Sequence, residues 1–273
     1  MARLPTTCCA ADGQLGEPNR PRMHPRRESP EVTLVPPVGG RDLEIATKLG
    51  LRVAAARDPS VWQLVAGPLG WTLCAPASVG AMALELGASR GALAQRLRSA
   101  RRTDPLPRAL GLHRATVAPT VVDATAGLCR DSMVLAGMGC AVTALERIPA
   151  LAMLAMDAVR NAGLADRVQV LATDAVAWLQ ALPTPDRPAI VYLDPMFAEA
   201  GKAQVKKDMQ VCRALAGPPD DPGPLFEAAR AGARERVVVK RHPTEAALAP
   251  GVSFQVAGER VRFDVYLQPG AGA

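Results

Sequence analysis

Four carboxylates between residues 123 and 194 stand where short apolar runs end, a position from which an acid can reach a ligand. Asp194 follows residues 190–193 and opens the run Asp194-Pro195-Met196-Phe197. An acid, a proline that fixes the turn and an aromatic ring together can hold an amino group and stack a planar base, although Phe197 would serve equally well as ordinary core. Glu146 closes residues 141–145, where a carboxylate can accept both hydroxyls of a ribose. Asp174 follows residues 168–171 and suits either an adenine amino group or the cap of the helical stretch beginning at 176. Asp123 begins a turn of small residues that runs through Gly127 to Arg130 and Asp131 and lets a ligand approach the backbone. With a single glycine the turn is not the dinucleotide fingerprint, and a tight structural turn would read the same way.

Cations flank these acids. Lys202, Lys206 and Lys207 follow the Asp194 loop, and Lys240 and Arg241 follow the apolar run 237–239, so both groups can meet a phosphate backbone or simply decorate a solvated face. Residues 90–114 are more pointed. They hold seven arginines, Arg101, Arg102 and Arg108 among them, against Asp104 alone, which equals the whole formal net charge of +6. Residues 117–273 nearly balance, with 16 basic side chains against 17 acidic ones. A basic segment beside a neutral region attracts a polyanion, with nucleic acid the natural partner, or else forms a solvated helix face.

Positioning those acids requires an open sheet, because ligands bind beyond the carboxyl ends of parallel strands. The apolar runs 121–124, 141–145, 168–171, 190–193 and 237–239 alternate with helical patterns at 131–136, 150–162, 176–182 and 225–233, the grammar of parallel strands joined by crossover helices. Residues 252–256 and 261–267, separated by four turn-forming residues, predict a closing antiparallel hairpin. The expected fold is α/β, a doubly wound and mostly parallel sheet with a terminal hairpin over residues 117–273. By analogy of fold, that ending is more usual in S-adenosylmethionine-dependent methyltransferases than in dehydrogenases. Residues 39–116 read as a small mixed region with helices around 42–49 and 92–97, and residues 1–38, rich in Pro, Gly and Arg, as a disordered extension.

Several classes are excluded by composition. The first thirty residues lack the apolar core of a secretory signal, and the uncharged stretch 59–84 is broken by Pro59, Pro68 and Pro76, so no membrane role is expected. Six cysteines without a CxxC pair and three scattered histidines give no metal-ligand spacing. The expectation is a cytoplasmic protein with reduced thiols and no metal.

Taken together, the segments VVDATAGLCRD (121–131), LER (145–147), VYLDPMF (191–197), VKKDM (205–209), RVVVKR (236–241) and RFDVY (262–266) resemble, in order and spacing, the bacterial ribosomal RNA small subunit methyltransferase J family. The resemblance covers most of residues 108–267. It implies a class I S-adenosylmethionine-dependent methyltransferase fold and transfer to the exocyclic N2 of a guanosine in 16S rRNA, with free rRNA or the small ribosomal subunit as partner. It also implies cofactor contacts at Arg130, Asp131, Glu146, Arg147, Asp174, Ala175 and Asp194, beside Asp123 and Gly127 of the turn. Asp194, Pro195 and Phe197 are then the catalytic loop. Arg101, Arg102, Arg108, Lys202, Lys206, Lys207, Lys240 and Arg241 are the RNA-facing cations. Cys129 stands where the family has glycine, Asp174-Ala175 where it has two serines, and residues 99–107 read SARRTDPLP in place of a glycine-rich stretch. The rival readings are an adenine N6 methyltransferase and a non-catalytic RNA-binding assembly factor.

Overall fold

The computed structural model describes residues 30–87, 90–195 and 207–270, with the side chain of Lys207 excepted. The first 29 residues therefore fall outside it, but the extension expected over 1–38 is corrected at its end. Val32–Val35 form strand β1, in which Val32, Leu34 and Val35 are buried and which pairs in parallel with Arg52–Val53 (β2) and Trp62–Gly67 (β3). An apolar β-branched run such as VTLV buries its side chains against a sheet, and ordering therefore starts before residue 38. Gly40–Lys48 form α1 between β1 and β2. Gly70–Cys74 (β4) and Ala83–Glu85 (β5) add antiparallel partners, giving a five-stranded sheet of order β2-β1-β3-β4-β5. Half of the uncharged stretch 59–84 is thus strand, and none of the described helices is long and apolar enough to cross a membrane.

Gly91–Ser99 (α2) and Pro105–Ala109 (α3) lead into the larger sheet. Its elements alternate as the sequence pattern predicts: Thr120–Asp123 (β6), Arg130–Gly137 (α4), Ala141–Glu146 (β7), Pro149–Asn161 (α5), Val168–Ala172 (β8), Ala175–Ala181 (α6) and Ile190–Leu193 (β9). Lys207–Ala216 (α7) comes next and was not foreseen as a helix; Gly223–Gly232 (α8), Arg236–Arg241 (β10), Phe254–Ala257 (β11) and Arg262–Leu267 (β12) complete the chain. The order is β11-β12-β10-β9-β6-β7-β8, parallel except for β12, which runs antiparallel to both β10 and β11.

Alternation along each strand divides the core. Val121, Ile190, Tyr192 and Val238 face the side shared with the small sheet, while Val122, Val191, Leu193, Val237 and Val239 face α6 and α8. The small sheet is tied down through α5, where the buried Asp157 accepts the Trp71 backbone N–H at 3.0 Å and Arg160 bonds Asp42 at 3.1 Å. An unpaired N–H at that depth would cost about 1–3 kcal/mol, so the contact fixes how α5 meets β4.

Candidate active site

The carboxyl edge of the large sheet gathers the four acids that end or follow its strands. Asp123 is the last residue of β6 and Glu146 the last of β7, Asp174 follows β8, and Asp194 follows β9. Parallel register sets their spacing: Asp123 lies level with Tyr192, and Val239 with Leu193, so Lys240 comes beside Asp194 one residue further on.

That register builds an ion network. The Lys240 ammonium donates to Asp194 at 2.7 Å and to Asp131 at 3.2 Å, and the Tyr192 hydroxyl donates to Asp131 at 2.6 Å. Arg96, from α2, donates to the other oxygen of Asp131. Asp131 is nearly buried, and the Lys240 and Arg96 charges hold its carboxyl well below the usual carboxylate range despite desolvation. The Lys240 ammonium is in turn held above its ordinary value by Asp131 and Asp194, which outweigh its burial. Desolvation pushes the Asp194 carboxyl up, against the Lys240 charge. The Asp194 backbone N–H donates to the Thr125 hydroxyl at 2.6 Å, which locks the loop after β9 onto the turn after β6.

The turn is built by unusual backbone. Gly127 has φ +50°, and Cys129, fully buried, adopts the left-handed conformation at φ +53° as it caps α4. A glycine fits that dihedral without the Cβ strain a cysteine carries, which gives the position its physical meaning. Burial pushes the Cys129 thiol far up, so it stays protonated. Asp123 is buried too, accepting from the Ser132 hydroxyl and the Thr125 N–H, and desolvation raises it to about 7. Glu146 accepts the Ile148 N–H at 2.7 Å; burial raises its carboxyl, opposed by the N–H groups of Ile148, Gly127 and Arg147. A Cβ placed on Gly127 would stand 4.0 Å from the second Glu146 oxygen, so the glycine keeps the space above this carboxylate open. Asp174 Oδ1 caps α6 through the Ala177 N–H at 2.9 Å, and no partner of Oδ2 exists among the described residues.

Other expected residues are placed differently. Lys240 and Arg241, assigned from sequence to RNA, are corrected: Lys240 is committed to the two aspartates, and the nearly buried Arg241 guanidinium binds the Ala246 carbonyl and Glu245. Arg102 is likewise spent on carbonyls, those of Leu112, Ala115 and Met138, because a guanidinium fork next to free carbonyl groups is held by them. Arg101 and Arg108 remain exposed without an ion pair among the described residues. Arg130 pairs with Asp208 of α7, and Arg147 with Asp220. Ala175 is the first residue of α6, and Pro195 follows Asp194 at the edge. Phe197, Lys202 and Lys206 lie outside the described residues, as does the Lys207 side chain. Among the described residues no group of His, Cys, Asp and Glu could hold a metal ion.

The fold and the acid-lined edge agree with known proteins. A family model described as "Putative SAM-dependent methyltransferase" matches residues 44–268. The ribosomal RNA small subunit methyltransferase J of Thioalkalivibrio sulfidiphilus is 42% identical over 235 residues, which cover 82% of this chain and 91% of the relative. The chain belongs to this methyltransferase J family. It is accordingly an S-adenosylmethionine-dependent methyltransferase with a class I fold. The methyltransferase J of Nitrosococcus oceani is 40% identical, across 65% of this chain and 74% of its own length. The crystal structure of an S-adenosylmethionine-dependent methyltransferase from Neisseria gonorrhoeae superposes with a TM-score of 0.65 at 29% identity, covering 88% of this chain and 98% of that one. In this family member the network's side chains come from distant parts of the sequence: Arg96 and Asp131 lie 35 residues apart, Asp131 and Lys240 109 apart. Sequence reasoning had named Asp131, Asp194 and Lys240 but not their union, and it missed Thr125, Ser132 and Tyr192 altogether. The available signal was Lys240 itself, a lysine ending a run of three valines in an interior strand. Such a side chain needs an internal partner.

Proposed function

We propose that this methyltransferase transfers the methyl group of S-adenosylmethionine to the exocyclic N2 of a guanosine in 16S rRNA, free or in the small ribosomal subunit, in the cytoplasm. The observation that carries the reading is Asp194, half-exposed at the carboxyl end of β9 and held at 2.7 Å by Lys240. When bound, the cofactor supplies an electrophilic methyl on a sulfonium. Glu146 is the acceptor for its ribose hydroxyls, the Asp123–Gly127 turn admits it to the backbone, and Asp174 Oδ2 accepts from its adenine amino group. Arg130, Asp131, Arg147 and Ala175 line or support the same edge.

The remaining task falls to the chain's own groups. The N2 lone pair of guanine is delocalised into the ring, so the amine is a weak nucleophile. Hydrogen bonds from its N–H groups to Asp194 and the Pro195 carbonyl favour a localised lone pair aligned with the donor, with Phe197 stacking the base. As the N–C bond forms, the nitrogen gains positive charge, and its proton passes to Asp194 or to water. Lys240 serves by orienting Asp194 rather than by touching substrate.

Single-turnover transfer to a 16S rRNA fragment with both ligands saturating, followed by analysis of the product nucleosides, tests the proposal. N2-methylguanosine is expected, and Asp194→Ala is expected to slow transfer by about a hundredfold or more while weakening donor affinity far less. N6-methyladenosine as product would replace the reading with the adenine rival, and donor binding without transfer would replace it with a non-catalytic factor. A variant rate within about threefold of the parent would remove Asp194 from the chemistry, since one net hydrogen bond of about 1 kcal/mol predicts more.

A further inference from the structure

The amino edge of the large sheet carries an arginine that the reaction does not use. Arg236 begins β10, and its side chain lies on the same sheet face as Val238 and Lys240, about 13 Å from Lys240 along the strand. Its Nε is buried, and neither that atom nor the rest of the guanidinium has a hydrogen-bond or ion-pair partner among the described residues. A guanidinium offers five donors, and leaving them unmet beside protein is costly, so the site is built for an acceptor from outside.

The surroundings fit an anion. An open cleft of about 490 Å³ is bordered by Arg236, Arg114, Arg234 and the backbone of Gly111. Gly111 has φ +82°, and a Cβ on it would stand 2.9 Å from a terminal nitrogen of Arg236, so a side chain there would force the guanidinium to shift. The His113 imidazole is lowered first by desolvation and then by the charges of Arg114, Arg108 and Arg236, which brings all three cations into one field. Glu235 is the acid that acts on Arg236, and Arg234 spends its Nε on the Arg187 carbonyl. Arg108, whose charge also reaches His113, belongs to α3 within the basic segment 90–114.

We infer that the Arg114–Arg236 cleft is a second substrate contact, an anchor for phosphodiester groups of the RNA at the edge of the sheet opposite the reaction site. Fork-shaped donors match phosphate oxygens, and a contact remote from the chemistry fixes the register of the RNA without reading its sequence. The inference rests on RNA being the substrate.

The test measures binding of a 16S rRNA fragment across a salt series for the parent, Arg114→Gln, Arg236→Gln and Gly111→Ala, with S-adenosylmethionine affinity by calorimetry as the control for fold. Each arginine variant is expected to lose about fivefold or more in RNA affinity and to reduce the salt slope by about 1, with donor affinity unchanged. Gly111→Ala displaces Arg236 without removing charge and is expected to weaken RNA binding in the same direction. Inorganic phosphate is expected to compete only at concentrations far above those of RNA phosphate; competition at equal concentration would assign the cleft to a free anion and overturn the RNA anchor. Arg114→Gln is exposed and keeps the test decisive should Arg236→Gln unfold. Unchanged RNA affinity and slope in folded variants overturns the inference, whereas a parent that binds no RNA overturns the substrate reading beneath it.

Discussion

Strand β10 carries a cation near each end, and the two stand in opposite surroundings. Lys240, at the carboxyl edge, sits among acids: Asp131 and Asp194 bond to it directly, and the buried Asp123 lies in the field of both. Arg236, at the amino edge, sits among other arginines, with Glu235 as its acidic neighbour. One strand of six residues thus joins a negative pole to a positive one. The lesson is that net charge conceals function here. Residues 117–273 nearly balance in sign, yet Asp123, Asp131, Glu146 and Asp194 gather at one edge, the proposed donor site, while Arg234 and Arg236 stand with Arg114 at the other.

The first way to break this contrast is by pH. Asp123 titrates at about 7 in the folded protein and near 4 when unfolded, so the folded state binds the extra proton between those values and stability falls as pH rises from about 4 to 7. Asp123→Asn removes that slope. The difference in unfolding free energy between variant and parent is expected to grow in favour of the variant by up to about 4 kcal/mol between pH 4 and pH 8. Denaturant titrations at the two pH values measure it, and a constant difference would show that Asp123 ionises normally. Asp131, whose carboxyl is lowered, acts with the opposite sign and below pH 4, outside this window.

The two ends of β10 can also be compared directly. Lys240→Met leaves the buried Asp131 with Arg96 and Tyr192 alone and strands Asp194; the expected loss is about 2–4 kcal/mol, reduced from the fully buried case because Asp194 is 40% exposed. Arg236→Met strands no acid in a hydrogen bond, and its stability is expected to stay within about 0.5 kcal/mol of the parent or to rise. Equal losses for both would erase the distinction between a neutralising lysine and a waiting arginine.

How much of this was legible beforehand depended on distance along the chain. The acids were, because each follows an apolar run, and parallel strands between crossover helices send such residues to one edge. The hairpin was too: residues 254–257 and 262–267 pair as the turn between them implies. The small sheet was not, because its strands run as short as two residues, β1 pairs in parallel across 30 residues with β3, and its uncharged run is broken by Pro59, Pro68 and Pro76. Partnerships were least legible. Arg96, Arg102 and Arg241 count alike in a tally of basic residues, yet one binds Asp131, one gathers three carbonyls and one is nearly buried.

The smallest expected effect concerns the joint between the turn and the acid pole. Cys129 adopts a left-handed dihedral, where a side chain costs about 1–2 kcal/mol of conformational energy. The same side chain is fully buried, and a small apolar group at that depth returns roughly 1 kcal/mol by leaving water. Glycine would relieve the strain but lose the burial and add freedom to the unfolded chain, by up to about 1 kcal/mol. The terms nearly cancel, so Cys129→Gly is expected to change stability by less than about 1 kcal/mol. Its effect on the acids is the sharper reading. The thiol adjoins Asp123, Glu146 and Ser132, and removing it leaves room for water beside the two carboxylates. Desolvation is what raises Asp123, so the pH midpoint of its titration, followed by carboxyl chemical shift, is expected to move down toward the ordinary carboxylate range in Cys129→Gly. A midpoint that stays near 7 would mean that neighbouring charge, not dryness maintained by Cys129, sets the protonation of this edge.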